Sequence, residues 1–221
     1  MPVLCVGCHV NGRHTTLLAV ACVVTLAGCG FITGEESLSV TASPATAGDG
    51  AVSETGYEEL NVTAQTVTRN VTVAGQTREV AVTNQLARYE RETDLGALGS
   101  RPAGVFVTYT SPEVEVANES FNPIADLSER EVLTRANQEY AAVSVGERVG
   151  SRTVSTLGQS TAVEKFDGTA TLAGSEVDVS VHATKFRHEG DFVVAIGVYP
   201  RENGDAERIV TLLESLEHGG E

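Results

Sequence analysis

From Tyr57 onward, apolar and polar positions alternate in stretches that predict strands. Leu60, Val62 and Ala64 alternate with polar residues, the phase changes near Thr66 and Val67, and the alternation resumes at Val71 and Val73. "AGQT" (Ala74 to Thr77) reads as a turn, and Val80 and Val82 run back toward Tyr89, which predicts a long hairpin with a bulge. "GVFVTYT" predicts another strand. The period then becomes helical in "LSEREVLTRANQEY", with Val132, Leu133, Ala136 and Tyr140 on one face. The start of this helix is marked twice. Ser128 and Glu131 have capping-box spacing, and Leu127 and Val132 have the spacing of a hydrophobic staple.

The second half repeats the alternation. Strands are predicted from about Thr153 to Leu172, "AGSE" turns the chain, and Val177, Val179 and Val181 line one face of the next strand before "HEGD" turns it again. In "FVVAIGVY", Phe192, Val194, Ile196 and Val198 face one way and Val193, Ala195, Gly197 and Tyr199 the other, as in a central strand covered on both sides. Pro200 ends it. After Gly204 and Asp205 a last helix presents Ile209, Val210, Leu213 and Leu216. The predicted fold class is α+β, an antiparallel sheet with helices packed on it.

The first quarter of the chain has a different pattern. Arg13 and His14 precede a largely apolar run, Leu17 to Ala27, too short to span a bilayer at the usual ~20 residues but the right length for a signal peptide. "LAGC" (Leu26 to Cys29) matches a lipobox, so cleavage after residue 28 makes a lipid-bearing Cys29 the first mature residue. Residues 30 to about 56 are rich in Ser, Thr, Ala and Gly without a sustained period, which predicts a flexible tether reaching roughly 30 Å from the membrane. The expected organisation is a signal peptide over 1–28, lipidated cysteine and linker over 29–56, and one α+β domain over 57–221. It places the domain on the outer face of the cytoplasmic membrane. Arg13-His14 stands where a twin-arginine signal carries two arginines, so the export route stays open.

"CVGCH" (Cys5 to His9) has the spacing of a c-type haem attachment site. It lies ahead of the apolar run, on the side that is discarded, whereas haem is attached beyond the membrane. Met1 is the only methionine, so no thioether is available as second axial ligand. No haem is assigned. Another reading of these residues is that translation starts after Met1. Cys5, Cys8 and Cys22 leave with the leader, so the mature domain has no disulfide and is held by its core.

The chain has 41% apolar residues, and its 221 residues less the 28 of the leader are enough for one ordinary domain with a real core. Thirty Asp and Glu stand against fifteen Lys and Arg, for a net charge of -15, and only Lys165 and Lys185 are lysines. Such a surface repels nucleic-acid phosphates, which excludes nucleic acid as a partner. A carboxylate-rich, lysine-poor coat is also what proteins in concentrated salt carry, because screening removes the self-repulsion. A calcium-binding acidic protein is the competing explanation, but no EF-hand loop is present.

The order hairpin, strand, helix, meander, and the closing "VYPRENGDAERIVTLLESLEH", resembles the PsbP-like fold. With its lipobox, "VFVTYTSPEVEVANESFNP" and "DFVVAIGVYP", the chain is similar to a haloarchaeal lipoprotein family known only as a domain of unknown function. PsbP-like proteins are mostly non-catalytic partners of membrane complexes, so the resemblance implies binding, with an envelope protein as the partner.

Catalytic motifs do not override that implication. HExxH, GxSxG, P-loop and GxGxxG signatures are missing in usable contexts, and Ser155 and Ser160 have no assignable base. His182 and His188 accompany Asp178 and Asp191. Six residues along one strand is roughly 20 Å at ~3.4 Å per residue, and Asp178 and His182 stand about 13 Å apart, so only a cross-strand partner completes a metal site. No metal, cofactor or catalytic residue is assigned. Asn61, Asn70 and Asn118 head sequons and are candidate glycan acceptors in an exported chain. The expected function is a membrane-anchored, non-catalytic binding or accessory protein; the alternative is an extracytoplasmic hydrolase or metal-dependent enzyme using the C-terminal sheet. Ligand delivery to a transporter is weaker, because such lipoproteins are usually larger and bilobed.

Overall fold

A computed structural model of the protein describes residues 38–73, 75–94, 100–116, 119–120, 122, 124–140, 143–172 and 175–219. The expected signal peptide, Cys29, the haem-like motif and Asn118 lie outside the described residues. In chain order the strands are β1 (Leu38–Thr41), β2 (Ala45–Ala47), β3 (Glu58–Val73), β4 (Gln76–Asp94), β5 (Ser100–Pro112), β6 (Glu115–Val116), β7 (Glu119–Ser120), β8 (Val143–Thr156), β9 (Gln159–Leu172), β10 (Ser175–His188), β11 (Asp191–Pro200) and β12 (Leu216–His218). The helices among these residues are α1 (Asp49–Thr55), α2 (Glu129–Tyr140) and α3 (Ala206–Glu214).

The main sheet runs β1-β4-β5-β11-β10-β9-β8, with β3 paired to β4 off this path. Every neighbouring pair from β4 through β8 is antiparallel. By their contacts the described residues divide into two units, one with Asn70–Val80 and the other with Ser39–Arg69 and the described residues from Ala81 on. In the first, Gly75 takes φ 77° in the hairpin turn, and the hydroxyls of Thr72 and Thr77 lie 3.0 Å apart.

In the second unit β11 is buried on both faces, as its unbroken apolar run requires. Phe192 and Val194 pack with Ile124 and Val132 on the α2 side, where Leu133 also meets Phe166, Val179 and Val181. Ala195 and Tyr199 face the other way, into a cluster with Tyr89, Phe106 and the α3 residues Ile209, Leu212 and Leu213. Gly197 lies under α3: a Cβ there would fall 2.7 Å from both Cδ1 and Cγ2 of Ile209, so the missing side chain is what lets the helix approach.

The start of α2 is built as its sequence predicts. The Ser128 N–H donates to Glu131 Oε2 at 2.8 Å and the Glu131 N–H donates back to Ser128 Oγ at 3.3 Å. The backbone N–H of Ser128 and its hydroxyl, which also donates to Glu131 Oε2 at 2.7 Å, hold the Glu131 carboxyl below its usual range. Leu127 and Val132 share one apolar cluster. Lys185 on β10 pins the approach to this helix by donating to the carbonyls of Ile124 at 3.0 Å and Ala125 at 2.9 Å, and to that of Leu127.

Three expectations change. The tether predicted over 29–56 is folded from Leu38 on: β1, β2 and α1 occupy this stretch, and Ala42, Ala45, Ala47 and Thr55 are buried. Small residues need little space, so their burial leaves no strong hydrophobic period. Leu216, expected on the last helix, belongs instead to β12, which pairs with β2 in the register Leu216↔Ala47 and His218↔Ala45. Leu60 and Val62, on an alternating strand as predicted, do not face a core: they are 51% and 40% exposed on β3.

Candidate functional site

The β10–β11 hairpin closes on two residues, Glu189 (φ 49°) and Gly190 (φ 86°), both left-handed. Two-residue hairpin turns of this hand favour Asn or Asp ahead of Gly, because a short polar side chain tolerates positive φ. Here a glutamate holds that position. The turn brings His188 and Asp191 opposite each other as the last pair of the ladder.

A third segment completes the constellation. The β2–β12 ladder carries His218, and the Gly219 N–H donates to Pro44 O at 3.3 Å, fixing the end of β12 against the chain ahead of β2. The Ser43 N–H donates to Asp191 Oδ2 at 2.8 Å, and His218 Nε2 lies 3.1 Å from the same oxygen. A carboxylate oxygen only accepts, so His218 Nε2 carries a proton toward Asp191, and in the neutral ring Nδ1 is the nitrogen that holds the lone pair. The His218 side chain is 2% exposed, and its Nδ1 is buried with no hydrogen-bond partner among the described residues. The rings of His188 and His218 meet edge to face at 5.2 Å. One ligand atom from each of His188, Glu189 and His218 lies within 4.8 Å of the other two.

The residues singled out from the sequence thus separate. Asp178 is exposed on β10 with its carboxylate 4.0 Å from Arg201 Nη1. His182 is buried on the α3 side of the sheet, its Nε2 3.0 Å from the Tyr199 hydroxyl and its ring stacked on that of Tyr199 at 5.6 Å. Burial pushes its pKa down to about 4, with Lys165 and Arg152 adding to the effect. The same burial raises the Tyr199 hydroxyl. His188 and Asp191 do come together, and the histidine that joins them, His218, comes from β12 of a separate two-stranded sheet, not from a neighbouring strand as the sequence suggested. Ser155 and Ser160 pair across the exposed end of the β8–β9 hairpin. Asn61 and Asn70 are exposed on β3.

A second concave feature, an open depression of about 630 Å³, is lined by Thr46 to Ala51 with Glu59, Val62, Ser215 and Glu217. It shares β2 and β12 with the histidine cluster but none of that cluster's ligand residues. No helix among the described residues is long and apolar enough to cross a membrane.

The model of one protein family, Domain of unknown function (DUF6517), matches residues 44–217. The match covers most of the chain, so the chain belongs to that family. No curated protein matches it.

Proposed function

We propose, taking membership of this family of unknown function as the premise, that the chain is a lipid-anchored domain on the outer face of the cytoplasmic membrane and works as a non-catalytic binding or accessory protein. The observation that carries this reading is "LAGC" at the end of a short apolar run, which puts an acceptor cysteine, Cys29, ahead of the family domain. Removal of residues 1–28 and lipidation of Cys29 tie the domain to the bilayer without a spanning helix.

The acidic, lysine-poor composition supports a haloarchaeal source, in which concentrated salt screens the carboxylates from one another. The likeness of element order to PsbP-like proteins supports an accessory role beside a membrane complex, by analogy of fold alone. Exposed Asn61 and Asn70 fit glycan acceptors on the surface of an exported chain. The imidazole cluster at the β10–β11 turn favours a second reading, a metal-dependent extracytoplasmic enzyme.

Crosslinking in native membranes tests the first reading. A reproducible adduct to one envelope protein, lost in Cys29→Ser, is the expected result. No reproducible adduct from the anchored protein contradicts it.

A further inference from the structure

We infer that His188, Glu189 and His218 form a binding site for a borderline divalent transition-metal ion of the Zn2+ type, with Asp191 as the residue that positions His218. The inference stands apart from the anchor and from the accessory role, since its residues all lie within the folded unit and need no partner.

Two imidazoles and one carboxylate suit zinc and its neighbours, whereas calcium and magnesium take oxygen ligands. The ligand atoms lie within 4.8 Å of one another. Around a tetrahedral ion at about 2.0–2.1 Å, ligands stand about 3.3 Å apart, so closure needs only side-chain rotation. Glu189 is exposed on the turn and is free to make that movement.

The Nδ1 of His218 is buried and has no hydrogen-bond partner among the described residues. Leaving a buried polar atom without a partner is costly, and native interiors contain few of them. A histidine with one nitrogen on a carboxylate and the other holding a free lone pair is the arrangement metal-ligating histidines use, the carboxylate fixing tautomer and ring orientation. Asp191 is itself held by the Ser43 N–H.

Glutamate in a left-handed position is strained relative to the Asn or Asp that such turns favour, and strain of this kind collects at functional sites. The longer side chain keeps a carboxylate beside His188. With three protein ligands, a fourth position stays open to water or to a donor from a bound partner. The bound ion would join the β10–β11 turn to β12.

The test is a calorimetric titration of the full chain with ZnCl2 in excess Mg2+, with Cys5, Cys8, Cys22 and Cys29 replaced by serine. Magnesium occupies the acidic surface and the replacements remove competing thiols. The account expects one ion per chain. Glu189→Gln and His188→Ala weaken binding tenfold or more, and Asp191→Asn weakens it between about 10- and 100-fold. Unfolding of Glu189→Gln and His188→Ala without metal should match the parent, since both sites are on an accessible turn. If either variant does unfold early, Co2+ bound to the parent decides: visible absorption of imidazole-ligated cobalt supports the site, and its absence overturns it. Lack of stoichiometric binding, or binding undiminished in Glu189→Gln and His188→Ala, overturns the inference and places any ion elsewhere.

Discussion

His182 shows how burial, more than any partner, sets the chemistry of a side chain. Its partner is a hydroxyl rather than a carboxylate, and its pKa falls from 6.5 to about 4 because the charged form loses water on burial. The unfolded chain therefore binds a proton near pH 6.5 that the folded chain refuses until about pH 4. Stability from this group is complete above pH 6.5 and declines as pH falls toward 4, by up to roughly 3 kcal/mol. Urea unfolding at pH 7 and pH 4.5 checks this: His182→Phe should lose less stability over that interval than the parent, and equal losses would contradict it. The sequence put His182 beside His188 as a candidate, and the strand rise correctly kept them apart. His218 could not be read the same way. Its meaning depends on pairing between β2 and β12, two three-residue strands far apart in the sequence. By contrast Ser128 and Glu131 act locally, three residues apart, and both their bonds follow from spacing alone.

At the scale of elements, long periodic segments were legible and short ones were not. The β9–β10 and β10–β11 hairpins, the two-sided burial of β11 and the start of α2 follow from alternation, turn residues and capping, whereas β8 begins at Val143, well before the strands expected from about Thr153. β1, β2 and α1 did not, because Ala, Ser, Thr and Gly bury without a clear apolar stripe, and their burial comes from distant partners. Thr108 and Thr110 of β5 donate to the carbonyls of Ala45 and Ser43, contacts no local pattern records. β3 misled in the opposite sense: alternation marked a strand, but an alternating strand need not have a covered face. Packing of α3 gives an element-scale prediction. Gly197→Ala drives a methyl into Ile209, where three side-chain carbons lie within 2.9 Å of the new atom, so a change of rotamer does not clear it. A loss of about 1–3 kcal/mol is expected in chemical denaturation, with part recovered in Gly197→Ala/Ile209→Ala. An unchanged midpoint would mean that α3 does not rest on this glycine.

For the whole molecule, the observed fold and the proposed placement rest on different parts of the chain. The folded unit supplies the sheet, the helices on its two faces and the histidine cluster, whereas the anchor is argued from residues 1–29 by sequence alone. Net charge of -15 bears on partners and solvent, not on which fold is formed. The central claim is that this domain is held at the membrane by lipid on Cys29. The most direct measurement is the intact mass of the protein extracted from its own membranes. The account predicts a chain that begins at Cys29 and carries the added mass of lipid. A chain that retains residues 5–9 with the mass of haem would contradict it and make the protein an electron carrier.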